Sequence, residues 1–235
     1  MTTIRPTLKR LLPALLVALC ASSCGVPDEP GPINFLLITA DDLEWSTVGV
    51  YGSHVEAITP NIDQLASEGL RFTNAHVNIA VCQPSRQTLL TGRYPHNNGA
   101  PGFHPIADDV PILQESLRRA GYLNGSIGKT RHLQPTERFG WDLGPDADNP
   151  GEGIWMHHLG NGRDIELYKK YTTEVLRLAK EESRPFWLML NTHDPHKPFY
   201  GDGGEEYDYP VSRKYSPEEI EVPGFLPDLP EVREE

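Results

Sequence analysis

Seven side chains of this sequence have the types and spacing for chemistry: Asp41, Asp42, Cys82, Arg86, Lys129, His132 and His193. The densest stretch is residues 81–93, Val-Cys-Gln-Pro-Ser-Arg-Gln-Thr-Leu-Leu-Thr-Gly-Arg. Pro84 lacks an N–H and has a preset φ, so it suits the first turn of a helix. Residues 85–90 continue that helix and Gly92 closes it. Cys82 then stands at a helix N-terminus, where free N–H groups and the positive dipole end favour an anion. Arg86 follows one turn later on the same face. A reactive sulfur, an anion-binding helix end and a guanidinium converge on one point. A lone cysteine packed as a small hydrophobe is the simpler reading of these residues alone.

The other candidates fall just past apolar runs. Residues 33–38 read as a strand buried on both faces, as in a parallel sheet, and Asp41 and Asp42 follow it. Open α/β sheets bind ligands at that edge. Paired carboxylates there suit a hard divalent cation, and equally a helix cap. Residues 122–127 form a second strand, followed by Gly128-Lys129-Thr130-Arg131-His132. Residues 185–190 form a third, followed by Asn191-Thr192-His193-Asp194-Pro195-His196. On their own, Lys129 fits a solvated turn and the two histidines fit loop polar groups. Helices are expected over 59–69 (Thr59 as N-cap, Pro60 first, Gly69 as stop), 111–120 and 164–182. In the last, Ile165, Tyr168, Thr172, Val175 and Leu178 or Ala179 recur at helical spacing and read as core. Residues 70–77 are a further strand candidate. Residues 94–110 form a long loop of the kind that is commonly functional. Residues 133–162, with Trp141 and Trp155, read as an irregular, exposed excursion beside a substrate cleft.

The 235 residues carry 21 Lys plus Arg against 33 Asp plus Glu, a net charge of −12. That disfavours nucleic acid, which needs a basic face. Arg5, Lys9 and Arg10 precede an apolar stretch, 11–19, too short to span a membrane. With Ala21-Ser22-Ser23-Cys24 it reads as a lipoprotein export signal over residues 1–23. Cys24 would be the lipidated mature N-terminus and residues 24–32 a short tether. The expected location is the bacterial periplasm or outer membrane, held by that lipid. The only cysteines are Cys20, Cys24 and Cys82. Cys20 leaves with the signal, so no disulfide is expected. From 201 to 235 the chain is acidic and proline-rich and shows no core-forming period.

The string at Cys82 resembles the signature of type I sulfatases, C-x-P-S-R followed by L-T-G-R. Residues 59–69 are similar to that family's T-P-N-I-D-x-L-A-x-E-G segment, 128–132 to its G-K-x-H element, and 193–198 to its H-x-P-H-x-P element. The resemblance covers roughly 33 to 200. It implies an alkaline-phosphatase-like α/β sandwich, with helices on both faces of a mixed, largely parallel sheet. It implies that Cys82 is oxidised to formylglycine by a maturation enzyme, and that the hydrated aldehyde is the nucleophile. Asp41, Asp42 and position 82 would hold one divalent cation, usually Ca2+. Arg86, Lys129 and His193 would bind the sulfate, and His132 would act as the base that expels it. Here Thr130-Arg131 replaces the single residue usual before that histidine. The substrate class implied is a sulfated carbohydrate bearing sulfate ester or sulfamate. The wording at 193–196 and 221–228 is similar to heparan N-sulfatases. Two other activities remain open: a phosphonate monoester or phosphodiester hydrolase, and a non-catalytic binder of sulfated glycans. The family's later D-N-T…S-D-H-G segment has no counterpart, and Asp148-Asn149 comes too early in the order to replace it. A chain with half a metal shell and an unpaired sheet edge is expected to show little activity and poor solubility.

Overall fold

The computed structural model describes residues 31–143, 153, 154, 156, 161–199 and 211–234. The export signal, most of the tether, Trp155 and the Asp148-Asn149 pair lie outside the described residues. Among those described, no helix is long and apolar enough to cross a membrane.

Three parallel strands form the sheet: β1 (Phe35–Asp41), β2 (Leu123–Ile127) and β3 (Phe186–Pro195), in the order β1-β3-β2. Parallel pairing forces long crossovers. The first contains α1 (Pro60–Glu68), α2 (Cys82–Thr91), α3 (Pro95–Asn98) and α4 (Leu113–Arg119). The second contains α5 (Thr136–Phe139) and α6 (Ile165–Glu181). The expected caps are present in part. Gly92 ends α2 in the left-handed conformation, and Asp164 caps α6 by accepting from the N–H groups of Glu166 and Leu167. Thr59 makes no side-chain cap on α1. Its hydroxyl instead accepts from the Gly49 N–H and bonds Asp63.

The period of two along β3 divides the core. Trp187 and Met189 face Leu90 of α2, Ile112, Phe139 and Trp141, while Leu188 faces Val175 and Ala179 of α6 together with Leu123 and Ile127. Helices therefore cover both faces, as the α/β sandwich requires. Register sets the strand ends together: Thr39 lies opposite Asn191, and Ile127 opposite Leu190. The loops after all three strands thus leave from one edge.

Three expectations fail. The β1 run is not buried on both faces. Phe35, Leu36 and Ile38 are 43%, 52% and 58% exposed, because β1 is an edge strand paired only with β3 among the described residues. Residues 70–77 form no strand. The Phe72 carbonyl accepts from the Tyr51 hydroxyl at 2.9 Å, and the Arg71 guanidinium lies over the Tyr51 ring, so side chains take the place of a ladder partner. The described apolar residues of the excursion after β2 are not exposed. Leu133, Phe139 and Trp141 are buried on one sheet face, and Leu143, Ile154 and Met156 on the other. Ile154 makes a parallel bridge to Ile127 at the edge of β2. Residues 211–234 carry only a 3-10 turn at Pro217–Glu219 and α7 (Pro230–Glu234), neither with a buried residue.

Candidate active site

Position 82 is built by α2. Val81 is extended and Cys82 begins the helix, so its sulfur meets the groups carried by the strand-end loops. His132 Nδ1 lies 2.9 Å from Cys82 Sγ, Arg86 Nε donates to it at 3.2 Å, and Asp41 Oδ2 stands 3.9 Å away. Asp41 is buried between two cations: Lys129 Nζ at 2.5 Å from Oδ2, and Arg86 Nη2 at 3.2 Å from Oδ1. Arg86 is held at all three nitrogens, since Nη1 also donates to Thr39 Oγ1 and Asn191 Oδ1. Thr39, Asp41, Asp42, Cys82, Ser85 and Arg86 line a cleft of about 370 Å³.

Lys129 reaches this point through backbone strain. Its φ is +56°, a left-handed value uncommon outside glycine. Gly128 before it is obligatory. A Cβ there would stand 2.2 Å from the Asn191 carbonyl oxygen, and φ is +73°. The solvated-turn reading of Lys129 is excluded, since the residue is 2% exposed.

The electrostatics follow from burial. For Asp41, burial opposes the charged form, but the Lys129 hydrogen bond and charge and the Arg86 charge outweigh it. Its pKa is held below the usual aspartate value. For Cys82, burial pushes the thiol up and Arg86 offsets this only in part, so the unconverted side chain is a protonated thiol at neutral pH.

Asp41, Cys82, Arg86, Lys129 and His132 form one cluster linked through Cys82 and Asp41. Asp42 shares the cleft, but its side chain is 62% exposed and lies 3.7 Å from His196. His193 is buried two residues past Asn191 on β3, with Nε2 3.0 Å from the Met156 carbonyl oxygen. Asn191, unflagged in the sequence, is the polar residue on which the strand ends meet. The signal available was an asparagine closing an apolar run where the chain could have stayed apolar.

These groups make only part of the shell of a divalent cation. Both Asp41 oxygens already face side-chain cations, and among the described residues no three His, Cys, Asp or Glu side chains converge on one point. Calcium takes about 6–8 oxygens, and Asp41 and Asp42 do not make that shell by themselves.

The sulfatase family model matches residues 33–221. N-sulphoglucosamine sulphohydrolase of Homo sapiens is 33% identical over 223 residues, covering 86% of this chain and 42% of its own length. Arylsulfatase A of Bos taurus is 45% identical over 213 residues, covering 71% and 42%. A solved structure in complex with its substrate, D-glucosamine-2-N,6-O-disulfate, superposes with a TM-score of 0.54 at 24% identity, over 70% of this chain and 35% of that one. At that identity it speaks for the fold, the alkaline-phosphatase-like one. The chain spans about half the length of the curated relatives it matches. With the match running across β1, the Cys82 helix and both later strand ends, this chain belongs to the sulfatase family.

Proposed function

We propose that this chain carries the nucleophile and the anion cradle of a sulfohydrolase acting on sulfate esters or sulfamates of a sulfated carbohydrate. The observation that supports it most is the convergence of Arg86, Lys129, His132 and Asp41 on position 82 at the start of α2. The human relative named for N-sulphoglucosamine supports the sulfamate arm.

In this reading Cys82 is converted to formylglycine, whose hydrated aldehyde supplies the oxygen nucleophile. Arg86 and Lys129 place two positive charges against one carboxylate. A surplus positive charge therefore awaits the anion in a site of low dielectric, where it acts strongly and needs no reorganisation. The start of α2 adds N–H groups for the same oxygens. His132, with Nδ1 2.9 Å from the position-82 atom, is within proton-transfer reach of a group there and serves as the base. His193 is assigned to the sulfate from the edge of β3. Ca2+ belongs to this reading as the family's cofactor, with Asp41 and Asp42 as two of its ligands. No step here passes through it.

The sequence of residues 1–24 supports an exported, lipid-anchored protein that meets its substrate outside the cytoplasm. The order of elements supports a catalytic domain beginning at residue 33. The deciding experiment is turnover by the converted protein of an N-sulfoglucosamine, an aryl sulfate and an aryl phosphonate, with Cys82→Ala as blank. Only weak release of sulfate above the blank is expected from this chain, in keeping with its partial cation shell, and turnover of the phosphonate alone would replace this reading with the phosphonate one.

A further inference from the structure

We infer that Asn191 is a positioning residue that locks the two cations of the cradle to each other. The inference rests on the proposed sulfate-binding role of Arg86 and Lys129. Asn191 is 1% exposed. Its Oδ1 accepts from Arg86 Nη1 at 2.5 Å and from Thr39 Oγ1 at 2.8 Å. Its Nδ2 donates to the Gly128 carbonyl at 2.8 Å and lies 3.3 Å from that of Ile127. Only one orientation of the amide satisfies this set, because the oxygen faces donors and the nitrogen faces carbonyls. One side chain thus grips the guanidinium of α2 and the carbonyl that precedes Lys129.

The position is not interchangeable. The Asn191 backbone carbonyl stands where a Cβ on residue 128 would go, and it accepts from the Tyr168 hydroxyl at 2.8 Å. Asn191 is therefore fixed from α6 as well as from its own strand. Aspartate would offer no donor to Gly128. Leucine would remove one of the two acceptors of the buried Arg86 Nη1, leaving Thr39 Oγ1, and would leave the Gly128 carbonyl without its Nδ2 donor. Thr39, opposite Asn191 across β1 and β3, completes the lock by bonding both Oδ1 and Nη1.

The test uses the 235-residue chain with inorganic sulfate as probe, titrated by calorimetry. Asn191→Ala is expected to weaken sulfate binding roughly tenfold, the scale of one hydrogen bond to a charged group. In an Arg86→Ala background the same substitution is expected to cost less affinity than in the wild type, because the part of its effect that travels through Arg86 is gone. An unchanged affinity in Asn191→Ala, or an equal loss in both backgrounds, overturns the inference. The second measurement needs no sulfate: solvent exchange of the Arg86 Nε proton, followed by 15N NMR. It should accelerate in Asn191→Ala, and an unchanged rate overturns the inference. If Asn191→Ala does not fold, Thr39→Val carries the same exchange test, since it keeps the β-branched shape and removes one bond to Oδ1. A wild-type chain that binds no sulfate overturns the proposed function instead, and the exchange arm still decides the role of Asn191.

Discussion

Cys82 meets His132, Arg86 and Asp41 with one sulfur atom, and its two chemical fates can be separated. Expressed with a competent formylglycine maturation system, the peptide containing position 82 should show the thiol replaced by an aldehyde or its hydrate in the mass spectrum. An intact thiol under those conditions would end that assignment. Expressed without the system, the thiol should alkylate slowly at neutral pH. Its pKa is raised, so the thiolate forms only above the ordinary cysteine value of about 8.5. The rate of iodoacetamide labelling should climb through a midpoint above that value, and a midpoint near 7 would contradict the burial argument. Lys129→Met should cost about 3 kcal/mol in urea unfolding, because it leaves Asp41 buried with one partner fewer. The sign of the pH effect follows from the lowered Asp41 pKa. The stability it adds is present above the ordinary aspartate value and is lost as pH falls through the folded one. Lys129→Met should therefore flatten the acid limb of the stability curve. Asp41, Cys82, Arg86 and Lys129 were legible in the sequence through the resemblance carried by the strings at 81–93 and 128–132, since on their own they fitted a cap, a packed cysteine and a solvated turn as well. Asn191 was not legible, because a neutral amide reads as a turn residue until its side-chain partners, 63 to 152 positions distant, are seen around it.

At the scale of elements, the turn after β2 is the most constrained joint. Gly128→Ala would drive a methyl to 2.2 Å from the Asn191 carbonyl at a positive φ. A loss of about 2–4 kcal/mol in denaturant unfolding is expected, with Gly92→Ala, open around its Cβ, as the milder control. Equal losses in the two would show that φ alone, and not the close approach, matters. The three strands and the long helices were readable from period and caps, since those signals are local. The excursion over 133–162 was misread because Gly, Pro and Asp are frequent in its composition. Three of its apolar residues, Leu133, Phe139 and Trp141, are spent on a distant face of β3. The stretch 70–77 was misread for the converse reason: alternating apolar residues make a strand only where an edge is free to receive them.

For the whole molecule, the sequence gives a net charge of −12 around a buried site with a positive surplus. Calcium is expected to bind this chain more weakly than about 0.1 mM by calorimetry, since only Asp41 and Asp42 are at hand among the described residues. A micromolar site would point to oxygens elsewhere, residues 144–150 included. A lipid-precursor label should mark the protein in a bacterial host and vanish in Cys24→Ala. Labelling unchanged by that substitution would remove the anchor.

The ion pair at the floor of the cleft has a further consequence. Lys129 and Arg86 are fixed from behind by Asp41, so their arrangement does not depend on the group to which a sulfate is attached. Under the proposed function such a cradle would also hold the inorganic sulfate it releases, and would admit phosphate on the same terms. Turnover in a closed vessel should then slow as product accumulates. The organism's clearance of free sulfate, more than its supply of glycan, would set the sustained rate.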